Sequence, residues 1–449
     1  MERRKFVKMG AVIGAAAAMP RFSFAQVKGS DKVKIGLIGC GGRGTGALIN
    51  MLDGDQNVKV VAFADLFEDK LQPSINRVKQ HLDKNYPGRS NEILDPATVK
   101  KFSGWDCVDA LLREDVDAVI EATPPVFRTP HYAKIVAAGK HAFLEKPACI
   151  DITQAREMLE LAKQAKEKGL TVICGTQRRY HDGYKEMIKR VQDGALGEIL
   201  STQAYWNSSG YVGHYQHDAM EKSGVLKGLE FDSIEYQVRN WFSFIWTSGD
   251  HIVEQHVHNL DVIMWALGDN HFPVELRGFG GRSTDLPVPM YGDRFSHFAI
   301  DFDMGNGLRL ASYCQQDPKA ADEVGERIVG TKGIMYSNLY GNISITDLKG
   351  NPVWKFDNKK ASECMVNEHK VFLQSVRNGG RMNMIEPLVN STLLAIAGRL
   401  SAYSGKKFKY DWMLSRSAEN LVPEKMAWGV KVPLKPVPVP GKYELVLKA

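Results

Sequence analysis

The chain has 449 residues, with 58 Lys and Arg against 52 Asp and Glu, a formal charge of +6, and 44% hydrophobic residues. That length exceeds one core and predicts two domains, with a composition ordinary for a globular protein. Arg3, Arg4, Lys5, Lys8 and Arg21 against Glu2 supply four of the six net charges. The excess therefore sits at one terminus, which excludes a nucleic-acid footprint, and no later apolar run is long enough for stable membrane insertion.

Residues 1–25 read as a twin-arginine signal peptide. Arg3-Arg4 lies in a basic start, Met9 to Met19 is an Ala-rich stretch too short to cross a bilayer, and Ser23-Phe24-Ala25 offers cleavage before Gln26. Such a signal addresses a folded protein to the twin-arginine export machinery, so the expected location is the periplasm or another extracytoplasmic space. The six cysteines all follow the signal and form no CxxC pair. A chain that folds before export folds in a reducing compartment, so mostly free thiols are expected.

The run Val33 to Ile38 reads as a buried strand, and Thr45 to Leu52 as the start of a helix. Between them lie Gly39, Cys40, Gly41, Gly42, Arg43 and Gly44, placed where a dinucleotide pyrophosphate can rest on backbone N–H groups and a helix N-terminus. Gly39 allows the tight turn, Gly41 lets backbone approach the phosphates, and Gly44 lets helix and strand pack closely. Asp65 closes a second strand, Val58 to Ala64, where an acidic side chain accepts from ribose hydroxyls and repels a 2′-phosphate. The expected cofactor is NAD rather than NADP.

Strands at Ala118 to Ala122, His141 to Leu144 and Thr171 to Cys174 then alternate with helices at Thr129 to Ala138 and Thr153 to Lys168, the latter with Thr153 as its cap. This alternation predicts an α/β Rossmann domain over 31–175, a parallel sheet with helices on both faces. Thr123, Pro124, Glu145, Lys146 and Gln177 fall at the carboxyl ends of its strands, the ligand edge of such a sheet.

From 176 to 411 the texture changes to strands joined by short turns, such as Met304 to Gly307 and Leu348 to Asn351. This predicts a substrate-binding α+β domain with a large, mostly antiparallel open sheet. A helix over Asp250 to Leu267 interrupts it. A late helix, 390–403, is capped by Asn390, stops at Gly405 and can pack back on the Rossmann domain. Residues 412–449 read as an extended tail, with Val and Pro mixed over 431–440.

Lys146, directed by Pro147, can hydrogen-bond a substrate hydroxyl and help take its proton. On the later helix, 3.6-residue spacing puts His251, Glu254 and His258 on one face. That set suits a polyol, with a carboxylate to orient a hydroxyl and an imidazole to move a proton; it also suits a metal or a purely structural polar helix. Gln177, Arg178, Tyr180, Asn207, Arg239, Trp241 and His251 offer the planar donors and aromatic platforms that a sugar ring needs.

The glycine loop, Glu145-Lys146-Pro147, the Glu254-to-Gly268 segment and Glu326-Arg-Ile-Val-Gly-Thr-Lys-Gly333 resemble the Gfo/Idh/MocA oxidoreductases over about Lys32 to Asp411. The resemblance implies sugar or cyclitol substrates, a homo-oligomer, and Lys146 with His258 as the catalytic pair. The family usually has Asp four residues before the catalytic His, where this chain has Glu254. An exported enzyme lacks a pool of free NAD, so the cofactor is expected to be tightly held and internally recycled. Either a second carbonyl takes the hydride back, or a glycoside is oxidised, cleaved by elimination and re-reduced, as some relatives do. A third possibility is a carbohydrate-binding protein that kept the fold without catalysis.

Overall fold

β1 (Val33–Ile38) is buried at five of its six positions, and β2 (Val58–Asp65), β4 (Ala118–Glu121), β5 (His141–Leu144) and β6 (Val172–Cys174) are buried almost throughout. Only a sheet covered on both faces suits such runs. With β3 (Lys100–Ser103) they form a six-stranded parallel sheet in the order β3-β2-β1-β4-β5-β6. The strand order reverses between β1 and β4, which opens a crevice beyond their carboxyl ends. The computed structural model describes residues 32–448, apart from 211, 284, 339–341 and 361–362, so the signal expected at 1–25 lies outside the described residues.

The second sheet contains β7 (Ile199–Ser208), β8 (Glu275–Gly281), β9 (His297–Asp303), β10 (Arg309–Gln316), β11 (Glu323–Gly330), β12 (Ile334–Ser337), β13 (Ile343–Thr346), β14 (Pro352–Lys355) and β15 (Phe408–Lys409). Its order is β14-β13-β12-β11-β7-β10-β9-β8-β15, antiparallel except for the parallel pair β7 and β10. β10 alternates: Leu310, Ser312, Cys314 and Gln316 are buried, while Arg309 and Tyr313 face outward. One face is therefore covered and the other open.

The cover is the helix Ile385–Ser404, buried along nearly all its length between β8 and the Rossmann helix Ile152–Glu167. Thr392 Oγ1 accepts from Ala148 N (3.2 Å), and Arg399 Nη1 donates to the carbonyls of Ile150 and Gly249 (both 2.8 Å). The late helix thus joins both domains. Residues beyond 416 run back over them: Glu419 pairs with buried Arg399, and Leu421 N donates to Asp151 Oδ2 (2.8 Å).

Several local expectations are corrected. The late helix begins at Ile385, not Asn390, because Met384 N is already held by Val172 O (2.9 Å) at the sheet edge. Asn390 instead donates to Asp269 O from inside the helix (3.0 Å). The cap of the helix Ile152–Glu167 is Asp151, whose side chain accepts from Gln154 N, while Thr153 Oγ1 donates to Glu419 O (2.7 Å). All six cysteines are free thiols. Among the described residues, no helix is long and apolar enough to cross a membrane.

Candidate active site

A cavity of about 750 Å³ runs along the carboxyl ends of the Rossmann strands and under the second domain. Its floor is the glycine loop. Gly39 has φ +91°, and a Cβ there would lie 2.7 Å from the Ala122 carbonyl carbon. At Gly44 a Cβ would lie 1.9 Å from Gly39 O, so the helix Gly42–Gly54 can close on β1 only without a side chain. Around Gly41 and Gly42 nothing stands within 4 Å of a Cβ position. This open lip carries the free N–H groups of a helix N-terminus, which suit a pyrophosphate.

Asp65 ends β2 beside this lip. Its Oδ2 accepts from Cys40 N (2.7 Å) and its Oδ1 from Phe67 N (2.9 Å). These bonds fix the loop and leave carboxylate lone pairs for ribose hydroxyls. Burial pushes the Asp65 carboxyl up, against the two backbone donors. Phe67, Trp105 and Phe127 continue the wall. Arg239 lies here too: its guanidinium is 3.8 Å from the Phe67 ring centre and pairs with Asp69 (3.0 Å) and Glu235 (3.1 Å).

Thr123 and Pro124 line the cavity between β4 and the helix Pro125–Ala137. Behind them Glu121 Oε2 accepts from Arg128 Nε (3.0 Å), and Arg128 also donates to Thr123 O (2.8 Å) and Pro147 O (2.6 Å). One buried guanidinium therefore ties the Thr123 loop to the Lys146 loop. Burial raises the Glu121 carboxyl, but Arg128 and His131 outweigh it and hold the group below the usual range.

Lys146 Nζ donates to Glu254 Oε1 (2.7 Å) and to the Glu254 carbonyl (2.6 Å). Glu254 is only 6% exposed, and its Oε2 has no partner among the described residues. His258 opens to the same cavity, its ring stacked on Trp206 (centroids 5.8 Å apart, 22° between planes). Burial, reinforced by the charges of Lys146, Arg178 and Arg43, holds the His258 imidazole well below its ordinary value of 6.5, so it is neutral near pH 7. Arg43 pairs with Glu145 and reaches Glu368 (3.4 Å).

Of the residues singled out from sequence, Gly39, Gly41, Gly42, Arg43, Asp65, Thr123, Pro124, Glu145, Lys146, Gln177, Arg239, Trp241, Glu254 and His258 line this cavity. Cys40, Gly44, Arg178, Tyr180, Asn207 and His251 do not. Cys40 and Gly44 lie behind the loop and shape it. Arg178 is buried, paired with Glu326 (2.8 Å), with its guanidinium carbon 5.8 Å from the Trp206 ring centre, so it supports His258 from behind. Tyr180 is buried in the Rossmann core, and Asn207 is taken up in the β7 ladder.

The expected single His helix is two. His251–Glu254 ends at Gln255, and Val257–Leu267 begins anew: His256 N donates to His251 O (3.1 Å) and His258 N to Gln255 O (3.2 Å), which interrupts the regular helical ladder, while Asp250, at φ +71°, caps the first short turn through its own side chain. The break turns His251 away into the core against Phe298, where burial keeps it neutral. Among the described residues, no group of three or more His, Cys, Asp or Glu is arranged to hold a metal ion.

Sequence reasoning missed Phe67, Trp105, Phe127, His131, Phe242, Gln255 and Met365, which also line the cavity. Phe67 and Trp105 sit just past the ends of β2 and β3, and that position was the available signal.

Residues 33–174 match the family model described as an oxidoreductase family with an NAD-binding Rossmann fold, GFO_IDH_MocA. The N-terminal domain is similar to that family over those residues. Its cofactor is NAD, and the open lip at Gly41 and Gly42 with Asp65 beyond it fits that group. A glycosyl hydrolase family 109 protein of Solibacter usitatus (strain Ellin6076) is 28% identical over 214 residues, 46% of this chain and 45% of that protein. The chain thus spans about half the length of such curated relatives. The scyllo-inositol 2-dehydrogenase (NAD(+)) of Bacillus subtilis (strain 168) is 23% identical over 65% of this chain and 76% of its own. The crystal structure of myo-inositol 2-dehydrogenase from Lactobacillus plantarum superposes with a TM-score of 0.61 at 19% identity, over 84% of this chain and 99% of that one. It shares the pairing of a Rossmann unit with a large open sheet.

Proposed function

We propose that the protein oxidises a hydroxyl of a sugar, glycoside or cyclitol with an NAD that it retains. The observation that carries this reading is Glu254 Oε2, a buried acceptor without a partner, set beside Lys146 and a neutral His258 in the cavity that holds the NAD loop. When bound, NAD supplies an acceptor for the hydride of the carbinol carbon and can return it. Lys146 spends two N–H bonds on Glu254 and has a third for the reacting oxygen. His258, uncharged, takes the hydroxyl proton, and Glu254 Oε2 accepts from a neighbouring hydroxyl and so orients the ring. The inositol dehydrogenase names among the relatives support a polyol substrate.

A second reading is a redox-neutral glycosidase, in which the hydride returns to the same sugar after the glycosidic bond has been broken. The glycosyl hydrolase name of the Solibacter and several Shewanella relatives favours it. In both readings the protein is exported folded through the twin-arginine route with NAD loaded beforehand, and works as a homo-oligomer outside the cytoplasm. Retention is supported by the cover at the Asp65 end, where Arg239 grips Phe67 and Asp69 from the second domain, and Trp428 packs on Phe67 and Trp105 (5.8 and 5.3 Å).

The test is to purify the chain without added cofactor and record its absorbance before and after adding inositols, aldoses and aryl glycosides. Bound nicotinamide that becomes reduced supports the dehydrogenase. Aglycone release without net reduction selects the glycosidase. Protein that turns over none of these compounds refutes both.

A further inference from the structure

We propose that Gln255 is a substrate-contacting residue that presents a fixed N–H donor to the cavity, with its orientation dictated from the protein interior by Arg294 through Gln316. The inference rests on the reading of the cavity as a polyol or sugar site.

Arg294 and Gln316 are both fully buried. A guanidinium has donors only, whereas a carboxamide has one donor end and one acceptor end. Arg294 Nη2 donates to Gln316 Oε1 (3.4 Å), which commits that oxygen as the acceptor. The other end of the amide, Gln316 Nε2, then donates to Gln255 Oε1. Gln255 is left with its own Nε2, which makes no hydrogen bond to a described residue, and Gln255 lines the cavity next to Glu254. The polarity of the whole relay follows from the donor-only end, so it does not depend on which way either amide is drawn.

The backbone holds both ends of the relay in place. Gln316 sits in β10 with its N–H on Ser296 O (2.7 Å), and Gln255 N donates to His251 O (2.9 Å) at the break between the two short helices. Asp250, whose buried carboxyl faces Arg294, balances the guanidinium charge. The cavity therefore offers an acceptor at Glu254 Oε2 and a donor at Gln255 Nε2 from consecutive residues. That pair is complementary to neighbouring oxygens on one ring, one donating its proton and the other offering a lone pair, as vicinal hydroxyls do. Gln316 and Arg294 are positioning residues that act only through Gln255.

The experiment uses NAD-loaded full chain. Wild-type protein is first given myo-inositol, scyllo-inositol, glucose and aryl glucosides, and the compound turned over best becomes the probe. Gln255→Leu should raise KM for that probe about tenfold, the worth of one hydrogen bond, with kcat and NAD affinity nearly unchanged. Gln316→Glu should do the same without touching the cavity. A carboxylate there accepts from both neighbours, so Gln255 must turn its amide and present oxygen instead of N–H. The matching KM-against-kcat split in a buried variant is the signature of the relay, because general loosening would also change NAD affinity. Should Gln316→Glu fail to fold, the cavity-facing Gln255→Leu and Gln255→Glu decide the matter. Wild-type turnover with KM in the Gln255 variants within about twofold overturns the relay and leaves the proposed function standing. A wild type that turns over no probe overturns both.

Discussion

Lys146 Nζ and Glu254 Oε1 lie 2.7 Å apart, and they come from different domains. Lys146 stands at the end of β5 of the Rossmann sheet, and Glu254 ends a one-turn helix of the second domain. The ion pair therefore closes the cavity at the point where the two halves meet. Both partners are largely buried, so the bond is not a screened surface pair. Lys146→Met should lower kcat by about 10² to 10³, the usual range for losing a donor to the developing charge on the reacting oxygen, while NAD titrated by calorimetry binds as in wild type. Turnover that survives the change would remove Lys146 from the chemistry.

If His258 takes the hydroxyl proton as proposed, it should set the acid side of the pH profile. Its imidazole is held well below 6.5, so the base form persists as pH falls through that value. The rate should stay level from mildly alkaline pH through 6.5 and decline only well below it. The stability linkage has the same sign: the unfolded histidine protonates first, so stability is full above 6.5 and erodes as pH falls beneath it. A rate limb centred at 6.5 or above, gone in His258→Asn, would show a charged imidazole instead.

Two glycines of the loop should separate folding from cofactor binding. In Gly44→Ala the new Cβ meets Gly39 O at 1.9 Å, and the fold should lose about 2–3 kcal/mol in urea titration. At Gly42 the Cβ has nothing within 4 Å, so Gly42→Ala should keep or slightly gain stability at a helix start. Its methyl group stands on the lip, so NAD affinity should fall about tenfold or more. Unchanged NAD affinity in Gly42→Ala would move the pyrophosphate elsewhere.

Arg128 carries both the Glu121 charge and the link between two loops. Arg128→Met leaves a fully buried carboxylate without its guanidinium, which should cost about 3–5 kcal/mol in denaturant titration. Glu121→Gln in the same background should recover part of that loss, because the stranded charge is removed. No recovery would mean that the loop links to Thr123 and Pro147 dominate.

Arg239 tests retention. Arg239→Ala removes the pairing with Asp69 and the cover on Phe67, and NAD should leave severalfold faster on gel filtration, read from the absorbance ratio of the eluted protein. Equal retention in wild type and variant would place the grip elsewhere.

Much of this was legible from the chain itself. The glycines, Asp65 and the helix–strand alternation follow from short-range rules, since a tight turn and a buried strand must be encoded by the residues that form them. Lys146 and His258 stand out locally, at a strand end and in a His/Glu repeat of helical spacing, while their pairing came from the family resemblance alone. The one-helix reading of 250–267 failed because a local period cannot register the slip of the ladder at Gln255 and His256, where Gln255 is held by Gln316 from the distant strand β10. That break is what sends His251 into the core and Gln255 to the cavity.

The sequence alone therefore determined the two fold classes, the dinucleotide loop and the residue types of the site. Only the tertiary structure decided which of those residues meet. Lys146 and Glu254 are separated by 108 positions, and Arg239 and Asp69 by 170. Contacts of that span depend on how the late helix Ile385–Ser404 docks one domain on the other, and that docking is set by packing across both units rather than by any local signal.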